Sequence, residues 1–146
     1  MKIEISIDKN QREPKIIIVT SEINDEIKEL SRYLSLNYPD VINGFNEQGV
    51  AIIKECDIIR IYGEHQKVFC ETLNGKYMLH SRLYELENKL DHKMFVRISN
   101  SEIVNSKRIL RLDASITGTI GVYLEGNIKT YSSRRYVKKI KEIFGL

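Results

Sequence analysis

Three short stretches hold the side chains best suited to chemistry, and that chemistry is recognition of an anion or a base edge. The first is Phe95-Val96-Arg97-Ile98-Ser99-Asn100-Ser101-Glu102-Ile103-Val104-Asn105. An apolar strand here delivers an amide and two hydroxyls to its end. Asn can pair bidentately with adenine N6 and N7, and Ser can donate to a phosphate. The competing reading is that Ser99-Asn100-Ser101 turns the chain and caps a short helix. The second stretch is Ser132-Ser133-Arg134-Arg135-Tyr136-Val137-Lys138-Lys139-Ile140-Lys141. With Ser132 or Ser133 as N-cap, both arginines fall in the first helical turn, where the helix dipole opposes cations and an anionic partner would offset the cost. Free N–H groups at such a terminus suit a phosphate, and the arginine fork suits guanine O6 and N7. The plainer alternative is a solvated basic face whose Val137, Ile140 and Phe144 dock on a sheet. The third stretch is the tip Gly63-Glu64-His65-Gln66-Lys67, where Gln66 or His65 can meet a base edge and Lys67 a phosphate, although hairpin tips are polar in any case.

Catalysis finds little support. His65, His80 and His92 lack metal-ligand spacing, and the chain has no H-E-x-x-H, glycine-rich phosphate loop or G-x-S-x-G. Cys70 and His80 as a nucleophile and base are outweighed by Cys70 as a small buried hydrophobe. The expectation is a protein that is not an enzyme and has neither cofactor nor metal.

Charge points the same way as the motifs. Residues 95–146 hold 10 Lys/Arg against 4 Asp/Glu, about +6, whereas residues 1–94 are about −3, so the net +3 of the 146-residue chain hides a one-sided field. Such asymmetry suits a polyanion partner. Cys56 and Cys70 lie 14 apart with no secretory signal ahead of them, which reads as reduced thiols in a cytoplasmic protein. The longest apolar runs, such as Ile16 to Val19, are far short of the roughly 20 residues a bilayer needs.

The elements that must position these residues are mostly short strands. Ile3, Ile5 and Ile7 alternate with Lys2, Glu4, Ser6 and Asp8, a half-buried strand pattern; Lys15 to Thr20 reads as a second strand. Ser21 is placed to cap a helix carrying Ile23, Ile27, Leu30 and Leu34. Pro39 and Gly44 mark a linker. Strands are then predicted at 50–54, 58–62, 67–72, 95–98, 108–113, 119–124 and 128–131, with Glu47-Gln48-Gly49 at a turn and Asn74-Gly75 as a type I′ hairpin signal. A helix with Leu83, Leu86 and Leu90 follows Ser81, and a basic helix over Ser133 to Phe144 ends at Gly145. The fold class is mainly β with short helices (α+β). Residues 1–40 form a small β-β-α unit, a candidate dimerisation or regulatory segment, ahead of a domain over 41–146.

Taken in order, the residues from about Val41 to Leu146 resemble the LytTR domain, the DNA-binding domain of bacterial regulators of the LytR/AlgR type. The resemblance rests on Asp57-Ile58 opening a strand, the L-x-x-L-x-x-x-L helix of Leu83, Leu86 and Leu90, F-x-R-I-x-x-S-x-x-V-N from Phe95 to Asn105, and S-R-R-Y from Ser133 to Tyr136. It implies an elongated multi-sheet β fold whose loops, not a recognition helix, enter successive major grooves of double-stranded DNA. It also implies a transcription regulator acting as a homodimer or as paired protomers on repeated half-sites. Carried over by position, Asn100, Arg135 and Gln66 would read bases; Lys67, Arg97, Ser101, Ser133, Arg134 and Lys138 would contact phosphates or support the readers. Where many relatives carry His the chain has Ser99, and where they carry an aromatic it has Glu102, a carboxylate that must point away from a phosphate backbone. About 40 residues precede the domain, too few for a receiver. The resemblance therefore implies a standalone form, with a membrane-bound inhibitor protein among the partners known for compact members. The rival reading is a protein-interaction module whose basic face docks on an acidic partner or an anionic membrane surface; RNA binding is a third, lacking an evident stacking platform among Tyr123, Tyr131 and Tyr136.

Overall fold

The computed structural model describes residues 1–12, 14–115 and 117–146. The chain divides into two units, Met1–Tyr38 and Pro39–Leu146. In the first, the two expected strands do not form: residues 1–7 and 14–20 run without any assigned strand. Alternation supplies only one face of a strand, and a ladder also needs a neighbour for its N–H and C=O groups. The expected helix does form, as α1 (Asp25–Asn37), but its cap is Asn24 and not Ser21: Asn24 Oδ1 accepts from the Ile27 N–H at 3.0 Å. Asp25 and Glu26 occupy the favourable first turn. Ile27, Leu30 and Leu34 are half-buried, and no residue of α1 is fully buried.

The second unit is built of β1 (Val41–Asn46), β2 (Gly49–Lys54), β3 (Ile58–Glu64), β4 (Lys67–Thr72), β5 (Gly75–Leu79), α2 (Leu83–Lys89), β6 (Phe95–Ser99), β7 (Glu102–Asn105), β8 (Ile109–Asp113), β9 (Gly121–Leu124), β10 (Ile128–Tyr131) and α3 (Val137–Phe144). An antiparallel seven-stranded sheet runs β2-β1-β5-β4-β3-β7-β6, and a three-stranded sheet runs β10-β9-β8. β1 and β7 lie where no strand was expected, whereas β5 is the second arm of the hairpin signalled at Asn74-Gly75. α2 is entered through Arg82, whose N–H meets Glu85 Oε1 at 3.4 Å, so Ser81 is not its cap. The type I′ expectation at Asn74-Gly75 is also corrected. Thr72 pairs with Gly75, which makes Leu73-Asn74 the loop, and Asn74 has no positive φ.

Two apolar cores share the central strands. On one face Ile58 and Ile61 of β3, Cys70, Leu79, Phe95 and Ile103 pack with Leu86 and Leu90 of the α2 segment. On the other, Ile59, Val96, Ile98 and Val104 pack with Val122 and Leu124 of β9 and with Ile140 of α3. A register shift between Ile58 and Arg60 sets Ile58 and Ile61, three residues apart, in the same core while Ile59 faces the other. Full burial of Ile140 contributes about 1.5–3 kcal/mol, fixing α3 and the basic turn before it to the sheets. Asn105 is buried as well: its Nδ2 donates to the Ile58 carbonyl at 2.8 Å and its Oδ1 accepts from the Lys107 N–H at 3.0 Å.

Candidate nucleic-acid interface

Three tips leave the second unit from strands that both cores hold. The first joins β6 to β7. Ser99 pairs with Glu102, so Asn100-Ser101 is a two-residue tip, and in place of the short helix of the competing reading β7 follows. Arg97 clamps this tip from behind. Its Nε donates to the Ser99 carbonyl at 2.6 Å, its Nη2 to the Asn100 carbonyl at 2.5 Å, and its Nη1 to Glu87 Oε2 of α2 at 2.6 Å. With 11% of its side chain exposed, Arg97 commits each of its three guanidinium nitrogens to the tip or to α2. The Ser101 N–H meets Ser99 Oγ at 3.2 Å, and the Asn100 side chain is exposed.

The second tip joins β3 to β4. Glu64 pairs with Lys67, leaving His65 (φ 50°) and Gln66 (φ 63°) in the left-handed region that a type I′ turn requires at both central positions. Neither is glycine, so each carries about 1 kcal/mol or more of backbone strain. His65, Gln66 and Lys67 are exposed. The Gly63 N–H donates to the Ser101 carbonyl at 2.8 Å, binding the root of this hairpin to the first tip.

The third tip is the turn before α3. Ser132 is buried, its N–H donating to the Ile120 carbonyl at 2.9 Å while its Oγ accepts from the Ile120 N–H at 2.9 Å; the Ser133 N–H donates to the Ile98 carbonyl at 3.0 Å. Neither serine hydroxyl caps α3. The expectation that both arginines occupy the first turn of an α-helix is corrected accordingly: Arg134–Tyr136 is a 3-10 turn, and α3 starts at Val137. Arg134 and Arg135 are exposed, with the Arg135 guanidinium 6.0 Å from the Tyr136 ring centre. Gly118 (φ 82°) lets the chain pass Arg134 closely, since a Cβ there would lie 3.2 Å from Arg134 Nε. Arg134, Lys138 and Lys141 line an open surface groove of about 460 Å³ with Val137, Glu142 and Leu146.

The Tyr136 hydroxyl donates to Asn100 Oδ1 at 3.4 Å, so the first and third tips touch, as the first and second do through Gly63 and Ser101. Asn100 and Arg135 thus stand on contiguous tips, with Gln66 on the adjoining one. Tyr136 was quoted in the sequence motif without a role; its bond to Asn100 was beyond reach because 36 residues separate them. Glu102, the acidic departure, points away: it is buried, accepting from Arg60 Nη1 at 2.9 Å and from the Thr130 hydroxyl at 2.5 Å. Arg60 also reaches Glu71 at 3.0 Å; burial opposes its charge, yet these two carboxylates carry its pKa above the ordinary arginine value.

Tyr123 and Tyr131 lie on the three-stranded sheet and are already engaged by cations. Arg111 sits 3.9 Å from the Tyr123 ring centre, and Lys129 lies 4.8 Å from Tyr123 and 5.2 Å from Tyr131. Hydrogen bonding to Lys129 lowers the Tyr123 pKa, and the same bond, with one to Tyr131, raises that of Lys129. No helix among the described residues is long and apolar enough to cross a membrane.

Among known proteins, a family model and a solved structure name the same kind of domain. The model of the LytTr DNA-binding domain family matches residues 48–145. An uncharacterized HTH-type transcriptional regulator of Staphylococcus aureus strain NCTC 8325 is 37% identical over 143 residues, covering 97% of each chain. A counterpart from strain MRSA252 is 36% identical over the same shares. Among solved structures, a LytTr DNA-binding domain from a Bacillus cereus protein described as a methyl-accepting/DNA response regulator superposes with a TM-score of 0.70 at 17% identity, covering 73% of this chain and 97% of its own. Its fold is the β-rich one described above. Among the described residues no two α-helices are joined by the short turn of a helix-turn-helix.

Proposed function

Because the chain belongs to the LytTr DNA-binding domain family and is a DNA-binding transcription regulator, we propose that it reads specific double-stranded DNA sequences with its three tips set in successive major grooves. The observation that carries this reading is the coupling of the tips: Gly63 N–H to the Ser101 carbonyl and Tyr136 hydroxyl to Asn100 Oδ1 present the hairpin tip, the amide and the arginines as one surface. Asn100, Arg135 and Gln66 read base edges. Lys67, Ser101, Ser133, Arg134 and Lys138 meet phosphates or steady the readers, and Arg97 acts from behind the tip. Two protomers act on repeated half-sites, in the cytoplasm where the chromosome lies. Control by a membrane-bound inhibitor protein is carried by the family resemblance alone.

Selection from a random duplex pool tests the proposal. Enrichment of repeated half-sites about one helical turn apart supports it. Recovery of no preferred sequence overturns it and favours docking of the basic face on an acidic protein. On the selected duplex, Arg135→Ala is expected to cost about 1–3 kcal/mol and to relax preference at one base pair. An equal loss on scrambled duplex would make Arg135 a phosphate contact only.

A further inference from the structure

The first unit displays apolar side chains that nothing among the described residues covers. Ile3, Ile5 and Ile7 are 85%, 89% and 88% exposed, and Val19 is 92% exposed. Side chains of this kind are ordinarily buried, and residues 1–7 lie in no sheet, so their backbone groups offer a template for another strand that would end at Asp8, whose carbonyl accepts from the Gln11 N–H at 3.0 Å. We propose that Lys2–Asp8 pairs antiparallel with the same segment of a second copy of this chain, about a two-fold axis at Ile5. The proposal gives a surface to the paired protomers of the preceding section, resting on that reading for the use of the dimer and not for its existence.

Charge selects both the occupant and the register. With the axis at Ile5, residue 2 faces residue 8 of the other copy, 3 faces 7, and 4 faces 6. Lys2 then opposes Asp8 at both ends, Ile3 opposes Ile7, the two Ile5 side chains meet, and Glu4 opposes Ser6. Directly opposed residues share a face, so an axis between two residues would mix the isoleucines with the charges. Moving the axis to Glu4 sets the two Glu4 carboxylates face to face, and moving it to Ser6 sets Glu4 against Asp8 twice. An axis at Ile3 pairs only residues 1–5 and leaves Ile7 unmatched. The Ile5 register alone joins all three isoleucines of each copy and opposes no like charges. Such an interface is isologous, the same patch serving both copies. A two-stranded ribbon needs an apolar cover to persist in water, and α1, with its half-buried Ile27, Leu30 and Leu34, supplies one of suitable chemistry.

Sedimentation equilibrium of the full chain without DNA, across a micromolar concentration series, tests the pairing. A dimer is expected that Ile5→Asp converts to monomer. Lys2→Glu and Asp8→Lys each set two like-charge pairs across the axis and weaken the dimer about tenfold. The double variant K2E/D8K reverses both charges of every pair and returns the dimerisation constant to about the wild-type value. A monomeric wild-type chain, a dimer indifferent to Ile5→Asp, or a double variant no better than the singles overturns the proposal. Anisotropy on a duplex carrying one selected half-site keeps the two readings separate: there Ile5→Asp binds as wild type does, whereas failure of the wild type to bind, with its dimer intact, counts against the DNA reading alone.

Discussion

Replacing Arg97 by Met separates support of the readout tip from direct contact with DNA. The guanidinium makes three short bonds, to the carbonyls of Ser99 and Asn100 and to Glu87. Bonds to charged groups contribute about 1.5–3 kcal/mol each when shielded. Only those to Ser99 and Glu87 are part-buried, and the Glu87 side chain is 40% exposed, so water replaces much of what is lost. The net expectation is a stability loss of about 2–3 kcal/mol, a fall of about 1–2 M in the urea midpoint at ordinary slopes. Met keeps most of the stem volume, so the core beneath stays filled. Once released, the Asn100 backbone must be ordered on binding, at about 1–2 kcal/mol per backbone residue, while Ser101 stays held by its carbonyl bond to Gly63 N–H, and affinity for the selected duplex falls about five- to thirtyfold. The slope of log affinity against log salt stays unchanged, because no phosphate contact is removed. A slope lower by about one unit, with an unchanged urea midpoint and equal losses on scrambled and selected duplex, would refute the reasoning and make Arg97 a phosphate contact.

Other outcomes follow from the same geometry. Lys138→Ala, in the open groove beside Arg134, is expected to weaken all duplexes alike and to lower the salt slope by about one unit, measured by anisotropy titration. Asn105→Ala orphans the buried Ile58 carbonyl and is expected to cost about 2–3 kcal/mol in urea unfolding without altering sequence preference. Thiol titration at mildly alkaline pH should count one reactive cysteine in the folded chain: Cys56 is exposed, whereas burial pushes the Cys70 thiol up to about 12. In urea the count should rise to two, and Cys56→Ser should leave the folded chain unreactive.

The strands that the sequence shows plainly are those whose apolar residues suffice to mark them, such as β3, β4 and β10. β1 was hidden because Pro39 and Gly44 read as a linker. Gly44 is required there by a close approach, for a Cβ would lie 2.5 Å from Ile53 Cδ1 and 2.7 Å from Tyr77 Cβ. β7 was hidden because it begins with a carboxylate, and what permits Glu102 inside is Arg60, 42 residues earlier, with Thr130, 28 residues later. The N-terminal isoleucines erred in the other direction, since their period of two was legible while the absence of a ladder partner was not. At the candidate site, side chains at the tips could be named from type and position. The link through Tyr136 spans 36 residues and the turn under the arginines is held by Ser133 N–H on the Ile98 carbonyl, contacts that local patterns do not encode; the Arg97 clamp spans only two, three and ten residues, but nothing in the residue types says which way the guanidinium turns.

The tips and the two cores share strands, and among the tip side chains Tyr136 alone belongs to a core, packing against the second one. His65, Gln66, Asn100, Ser101, Arg134 and Arg135 belong to neither apolar cluster, so exchanging them costs the packing nothing. Under the proposed function, descendants of such a chain can change operators by drift at a few loop positions while the folded frame persists. New regulatory circuits then arise by duplicating the gene and rewriting its address, with no need to evolve a new scaffold.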